Sequence, residues 1–466
     1  MTATSSLSDL ARHDLADLSH DLIGPADPGY DDARAVHNGM IDRHPALIIR
    51  CSSTDEVARA ITFARDHGAP IAVRGGGHNG GGLGVVDDGV VIDLSGMADV
   101  VVDPGSGTVA VGGGATWGDV DCATAEHGCV VPSGIISTTG VGGLTLGGGL
   151  GHLTRGFGLT IDNLVGVDMV LADGSRAHAD AGEHPDLFWA VRGGGGNFGV
   201  VTSFHFRTHP LGATVMAGPT FWPIEQLPEV MRFYREFLPA APRNLGGFFA
   251  SMTVPPVGMF PAELHMRKVA AVMWCIDGSE EDAARLLAPV HDVGTPLLHG
   301  VGPMPHPVLQ SLFDGLYTKG LQCYWRADFV NDLSDDLIAE HLEWSQKLPS
   351  MHSTMHLYPI DGAVHDVGSG ATAFSYRDTQ WAEVIFGVDP DPARAEDMRD
   401  WCVGYWDATH PYSAGGAYVN FMMEEGQERV RATYRDNYDR LTRVKAQYDP
   451  ENVFRVNQNI HPAPRA

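Results

Sequence analysis

Pro70-Ile71-Ala72-Val73-Arg74-Gly75-Gly76-Gly77-His78-Asn79-Gly80-Gly81-Gly82 is the stretch on which the reading of this chain turns. Pro70–Arg74 is a short apolar run that reads as a strand, and it empties straight into glycine. Backbone without Cβ atoms either approaches something closely or takes φ values closed to other residues. His78 sits inside that loop with no hydrophobic neighbour to pack on. A lone histidine is more often a surface or satisfied core group, but here the bare flanking chain presents the imidazole to whatever the loop cradles. A neutral imidazole is a competent nucleophile toward an electrophilic carbon.

Outward from this loop, the 57 glycines cluster again at 112–114, 140–151 and 193–199, with no period that would mark a repeat array. Upstream, Ala46–Arg50 reads as a strand. A helix follows from Thr54, with Ser53 and Glu56 placed as a capping box and Gly68 closing it. Downstream, Val90–Leu94 and Thr108–Val111 read as strands, and a helix starts at Thr116 with Asp119 completing a second box. Leu164–Leu171 and Arg176–His178 flank the turn Asp173-Gly174. His184–Val191 is a short helix, and Val200–Arg207 a strand. Beyond about 212 the glycine clusters stop. Helices at Leu227–Leu238 and Glu280–Leu287 alternate with strand-like Val269–Trp274, Met355–Tyr358 and Trp381–Phe386. A last helix runs through Arg429–Tyr448, before Asn457-Gln458-Asn459. The pattern predicts an α+β protein of two lobes: 1–212, with its core from about 43, and 213–411, followed by a last segment 412–466.

Bulk properties narrow the class. With 31 basic against 58 acidic residues the chain carries −27, which disfavours nucleic acid and anionic membrane as partners. That charge reads as solubility, with a salt-adapted surface as the other explanation. Met1–Leu22 has no basic lead and no continuous apolar core, so no secretory leader is expected there. No apolar run approaches the roughly 18 residues that span a bilayer. The six cysteines form no CxxC pair and read as mostly buried free thiols. A cytoplasmic protein, monomer or homodimer, is the default expectation.

Glycine turns between strands suit a phosphate, because N–H groups can converge on oxygens there. The common nucleotide patterns do not fit, however. No GxxxxGK[ST] exists, and no strand–GxGxxG–helix unit is followed by an acidic residue about 20 positions on. A purely structural set of tight turns stays open on glycine alone.

Taken together, Arg74-Gly75-Gly76-Gly77-His78, Gly140-Val141-Gly142-Gly143 with Gly147-Gly148-Gly149, Asp162-Asn163 and Asn457-Gln458-Asn459 resemble the berberine-bridge-enzyme-like branch of the vanillyl-alcohol-oxidase flavoproteins. The resemblance runs from about residue 43 to 462, in the family's order and spacing. It implies an FAD-binding lobe, to which the segment 412–466 returns, and a substrate lobe whose antiparallel sheet, backed by helices, roofs the isoalloxazine. It implies that His78 is the 8α attachment point of covalent FAD. Arg74, Gly75, Gly76, Gly77, Asn79 and Gly80 with Gly142 and Gly143 would hold the pyrophosphate. Ser137, Thr138, Thr139, Gly148, Gly149, Val201 and Tyr418 would complete the cofactor site, with Asn457 and Asn459 facing the ring. Such a tether prevents loss of cofactor and raises the flavin potential. Many relatives add a cysteinyl link where this chain has Ile136, and Cys129 falls seven residues too early, so a single attachment is expected. The family's oxygen-gating position falls at Thr139, small enough to leave O2 access open.

For the chemistry, a substrate O–H or N–H proton must leave as hydride departs from carbon. Strand alternation puts Trp381, Glu383 and Ile385 on one face, where a desolvated Glu383 would have a raised pKa and serve as base. A solvated edge carboxylate is the alternative. Ala417-Tyr418-Val419-Asn420-Phe421 resembles the family's Tyr-x-Asn-Tyr, but Phe421 lacks the hydroxyl. That leaves Tyr418, itself more structural in character, the roof residues such as Glu383 or Tyr358, or the substrate's own acidity. His356 and His365 read as ordinary polar residues. The leading expectation is an FAD oxidase acting on an alcohol, phenol, amine, sugar-like hydroxyl or natural-product intermediate, with O2 as acceptor and H2O2 as product. A flavin dehydrogenase with another acceptor, an NADPH-dependent reductase sharing the FAD lobe, and a non-catalytic flavin binder are the competing readings.

Overall fold

The computed structural model describes residues 6–18 and 21–464. The Met1–Leu22 stretch read for a leader therefore lies partly outside the described residues. No helix among the described residues is long and apolar enough to cross a membrane.

The first half builds two small sheets. One has four strands in the order Leu22–Ile23, Leu47–Arg50, Val90–Asp93, Ile71–Arg74, the last three mutually parallel. Parallel neighbours need a crossover, which the helix Thr54–Asp66 supplies between Leu47–Arg50 and Ile71–Arg74. Ser53 caps that helix by accepting from the Glu56 N–H, but the expected box is only half made. The Glu56 carboxylate instead accepts from the Ser52 N–H (2.6 Å) and hydroxyl (2.9 Å). The Thr116–Asp119 box is complete. The second sheet is antiparallel, in the order Val100–Asp103, Thr108–Gly112, Val200–Arg207, Leu164–Val170, Arg176–Asp180.

From Val215 to Asp389 the chain builds an eight-stranded sheet. Its central strands are buried along nearly their whole length, because one face packs on helices and the other on the first half. Leu227–Ala240, Asp335–Ser345 and Ala395–Thr409 cover the outer face, and their buried residues share a core with Trp274, Met355, Leu357, Trp381 and Ile385. The inner face joins a second core that runs through Phe204, Phe248, Tyr358, Val384 and Tyr418 into the first sheets. Two buried ion pairs tie the halves together. Arg377 forks onto both oxygens of Asp162 (2.7 Å each), and Arg155 Nε donates to Asp361 (2.7 Å). Removing one partner of such a pair strands a buried charge, at a cost of about 3–5 kcal/mol.

The expected continuous helix Arg429–Tyr448 is broken. Gln427–Tyr434 ends where Arg435 takes a φ of 44°, and Tyr438–Tyr448 begins after a 3₁₀ turn. Arg435 is held there by its guanidinium over the Tyr376 ring (3.5 Å to the centroid) and by Asp378. All six cysteines are free.

Candidate functional site

A cavity of about 360 Å³ opens between the two halves, and twelve of its lining residues are glycine. The strand Ile71–Arg74 delivers the loop Gly75–Asn79 to its wall, and the loop Gly134–Gly140 meets it from the other side. The two loops touch backbone to backbone: a Cβ on Gly76 would overlap the Gly140 N–H, and one on Gly140 would overlap that of Gly76. Gly140 has an ordinary φ of −66°, so Gly140→Ala reads close approach alone. That substitution is expected to cost about 1–3 kcal/mol and to lower the flavin content of the purified protein, measured by melting temperature and absorbance.

His78 stands in this wall, half-buried, stacked on His37 (centroids 4.0 Å apart), with Nε2 3.1 Å from the Thr138 hydroxyl. Burial, aided by the neighbouring His37, lowers its pKa to about 3, so the ring is neutral at physiological pH. Gly142 and Gly143 lie in the first turn of the helix Val141–Gly147, where backbone N–H groups have no intrahelical partner. The tail is pinned by Lys445, whose buried ammonium donates to Asp449 (2.6 Å) and to the carbonyls of Asn197 (2.7 Å) and Phe454 (2.9 Å). That anchor brings Asn457 and Gln458 to the wall.

Arg74, Gly75, Gly76, Gly77, His78, Asn79, Thr139, Gly142, Gly143, Val201, Tyr358, Tyr418 and Asn457 all line the cavity. Six others expected in the cofactor site do not. Gly80 is pressed against the Trp325 indole, which leaves no room for a Cβ, and its carbonyl accepts from Asn38 (2.8 Å). Ser137 turns away because its N–H (3.0 Å) and hydroxyl both bind Asp314. Thr138 stands behind His78 and reaches the site only through that ring. Gly148 packs on the rings of Phe374 and Tyr418. Gly149 donates its N–H to the Tyr418 hydroxyl (2.8 Å). Asn459 lies past the wall, where the Ile460 N–H is drawn onto Asn197 Oδ1 (2.9 Å).

The largest correction concerns Glu383. Trp381, Glu383 and Ile385 do share a face, but it is the helix-covered one; Val384 and Phe386 face the cavity. Register shows why: Glu383 pairs with Leu357 and Asp328, whereas Val384 pairs with His356. Its carboxyl meets the Thr409 hydroxyl (3.1 Å) and lies 3.8 Å from His341 Nε2. Burial, with the Asp328 charge second, raises its pKa to about 8. The rise was anticipated, but the group is remote from the chemistry. A raised carboxyl pKa stabilises the fold fully below about pH 4.5, and that contribution fades as pH climbs through 8. Glu383→Gln is therefore expected to leave kcat unchanged. Its unfolding free energy relative to wild type should improve with pH over that window, by at most about 1.4 kcal/mol per unit, read by urea denaturation at pH 5 and 8.

On the cavity face, the strand Thr354–Pro359 presents His356 and Tyr358. The Tyr358 hydroxyl is hydrogen-bonded to His356 Nδ1 (2.9 Å). Burial lowers the His356 pKa to about 3 and pushes that of Tyr358 well above its usual value. His356, read from sequence as ordinary, is thus paired with the hydroxyl of a cavity-lining tyrosine; the two-residue spacing to Tyr358 on one strand was the signal available. The Tyr418 hydroxyl also accepts from Asn420 Nδ2 (2.7 Å). Trp325, Tyr317 and Phe386 complete an aromatic wall with Phe421, a grouping that needs two strands, a loop and a 3₁₀ turn to assemble.

This cavity fits a flavin dinucleotide on its own geometry. Its wall contains no aspartate or glutamate, in a chain of 58 acidic residues. Arg74 Nη1 and Asn457 Oδ1 find no partner within the chain, and orphaned polar groups of that kind ask for a ligand or water. The bare backbone on one side suits phosphates, and the apolar ring-lined side suits an isoalloxazine and a flat substrate.

Known proteins agree with this reading. The FAD binding domain family matches residues 45–180, and the berberine and berberine like family matches 417–461. An FAD-linked oxidoreductase of Bacillus subtilis is 31% identical over 96% of this chain and 98% of its own length. The (R)-6-hydroxynicotine oxidase of Paenarthrobacter nicotinovorans is 29% identical over 96% of this chain and 97% of its own. The crystal structure of 6-hydroxy-D-nicotine oxidase from Arthrobacter nicotinovorans superposes with a TM-score of 0.83 at 26% identity, covering 95% of this chain and 98% of that one. With the two matched segments framing the cavity at both ends of the sequence, the chain belongs to the berberine-bridge-enzyme-like branch of the vanillyl-alcohol-oxidase flavoproteins and is an FAD-linked oxidoreductase.

Proposed function

We propose that this enzyme carries FAD bonded through His78 alone and oxidises a small, flat, largely apolar alcohol, phenol or amine, with O2 as the final acceptor. The carrying observation is the neutral His78 ring in the cavity wall. The Thr138 hydroxyl engages Nε2 (3.1 Å), and the tautomer with its proton on Nε2 would leave the Nδ1 lone pair free. Ile136 lines the cavity and no cysteine does, which supports one attachment instead of two. The loops Gly75–Asn79 and Gly140–Gly143 would hold the pyrophosphate, and Asn457 and Gln458 would border the ring. Residues 1–212 with 412–466 would form the cofactor lobe, and 213–411 the substrate lobe.

FAD held by the loops Gly75–Asn79 and Gly140–Gly143 would supply a two-electron acceptor for hydride from carbon, with O2 as the final oxidant. The protein's part is to place the substrate and take its proton. Tyr317, Trp325, Phe386 and Phe421 form an aromatic slot without a charged group, and water excluded from it strengthens the polar contacts that remain. Tyr358 sits in that slot with its hydroxyl on His356. The substrate's proton passes to the Tyr358 oxygen as the Tyr358 proton passes to His356 Nδ1. The His356 ring is unprotonated at neutral pH, so its lone pair is open to that proton, and the same burial makes its hold on it brief. Thr139, small and at the cavity wall, leaves a way in for O2. The uncharged aromatic slot favours an aromatic ring system in the substrate.

The test is anaerobic. Aryl alcohols, phenols and heteroaromatic amines, screened one by one, should bleach the yellow protein, and air should restore colour with one H2O2 per turnover. Bleaching by oligosaccharides only, or slow recovery in air, would reject the substrate class or the oxidase assignment respectively.

A further inference from the structure

We propose that Asp168, His178 and His205 form a binding site for a divalent transition metal such as zinc, on the outer face of the five-stranded sheet and separate from the flavin cavity. The three residues come from three adjacent strands. Leu164–Val170 lies between Val200–Arg207 and Arg176–Asp180. Asp168 is directly opposite His178, and His205 is one diagonal away, opposite Gly166. Residues so placed project from one face, while Val167, Phe204 and Phe206 point into the core behind them.

The ligand atoms already converge. Asp168 Oδ1 is 2.7 Å from His178 Nδ1, Asp168 Oδ2 is 2.7 Å from His205 Nε2, and all three groups' ligand atoms lie within 4.8 Å of one another. Nitrogen and oxygen ligands about 2.0–2.2 Å from a common zinc stand roughly 3.3 Å apart, so small side-chain rotations accommodate the ion. Zinc takes the place of protons shared between the carboxylate and the rings. Two imidazoles and a carboxylate are a donor set that suits zinc, nickel or copper and not magnesium or calcium. All three side chains are half-buried, which leaves the fourth position to water.

A fourth residue carries the argument beyond simple clustering. Bound through Nδ1, His178 keeps an N–H at Nε2, and Asp180 Oδ2 lies 3.5 Å from that atom. Asp180 is itself fixed, because its other oxygen accepts from the N–H groups of Gly182 (2.7 Å) and Glu183 (2.6 Å). A carboxylate behind a metal-bound histidine orients the ring and raises its basicity, so Asp180 is a positioning residue. The metal would staple three strands, one of which begins with the cavity-lining Val200 and Val201.

Calorimetric titration of the chelator-stripped, flavin-loaded protein with ZnCl2 tests this. One zinc per chain is expected, with a melting temperature that rises with zinc concentration. His178→Ala and His205→Ala should each weaken binding at least about tenfold, and Asp180→Asn by roughly 10–100-fold, with an unaltered flavin spectrum showing the fold intact. No binding heat with zinc, nickel or copper, or wild-type affinity in either histidine variant, overturns the site. Wild-type affinity in Asp180→Asn overturns the positioning role.

Discussion

Purified His78→Ala protein is expected to lose its acid-stable yellow colour completely. Wild-type protein precipitated with acid should keep the flavin in the pellet, and its intact mass should exceed that of the 466-residue chain by one FAD. The variant should have the mass of the polypeptide alone and release any flavin to the supernatant. The reasoning is local. His78 is the one nucleophilic side chain in the loop Gly75–Asn79; it is neutral because its pKa lies near 3, and Thr138 holds Nε2 so that Nδ1 is free. Thr138→Val should accordingly give slow and incomplete attachment, with wild-type spectra once attached. Added FAD should refill His78→Ala reversibly, since the backbone cradle remains. The refilled enzyme should turn over about tenfold more slowly, roughly 1.4 kcal/mol of barrier, because the tether no longer raises the flavin potential. A colour that stays with acid-denatured His78→Ala would place the bond elsewhere and end this account.

The glycine loops, His78 and the strand leading into them were legible from sequence because they are local. A strand, a bare turn and one imidazole within nine residues need no tertiary knowledge. The helix starts at Ser53 and Thr116 were legible for the same reason, as caps act over three residues. What failed was what depends on facing. Alternation groups Glu383 with Trp381 and Ile385 but cannot say which side the helices cover, and Ala395–Thr409 decides that by packing from outside. Ser137, Gly148 and Gly149 sit in the expected motifs, yet each is claimed by a partner far along the chain: Asp314, Phe374 and Tyr418. His37 was invisible because its importance is a ring stack made by a loop 41 residues upstream. The helix Val141–Gly147 was hidden by composition: a segment with three glycines in seven residues has poor intrinsic propensity and is helical because the fold around it dictates so.

Replacing Tyr358 by Phe is expected to lower kcat by about 10²-fold or more, the usual worth of a positioned proton acceptor, with KM changed far less. The phenyl ring fills the same space, so the aromatic slot and the contact with Phe248 (centroids 5.0 Å apart) persist, and only the hydroxyl is lost. His356→Ala should produce a loss of similar size, because Tyr358 would then have a buried hydroxyl with nowhere to send its proton. The two effects should not add: residues that pass one proton act as a unit, and the double variant should resemble the worse single one. The pH profile separates this relay from a lone tyrosinate. Tyr358 has its pKa pushed far up by burial, so a tyrosinate mechanism would show activity rising steeply into alkaline pH. His356, unprotonated until pH falls toward about 3, gives a relay that is open across the neutral range and closes only in acid. Wild-type kcat should therefore stay level from about pH 6 to 9 if Tyr358 and His356 pass the proton together. An alkaline rise retained in His356→Ala would show that the tyrosine works without its partner.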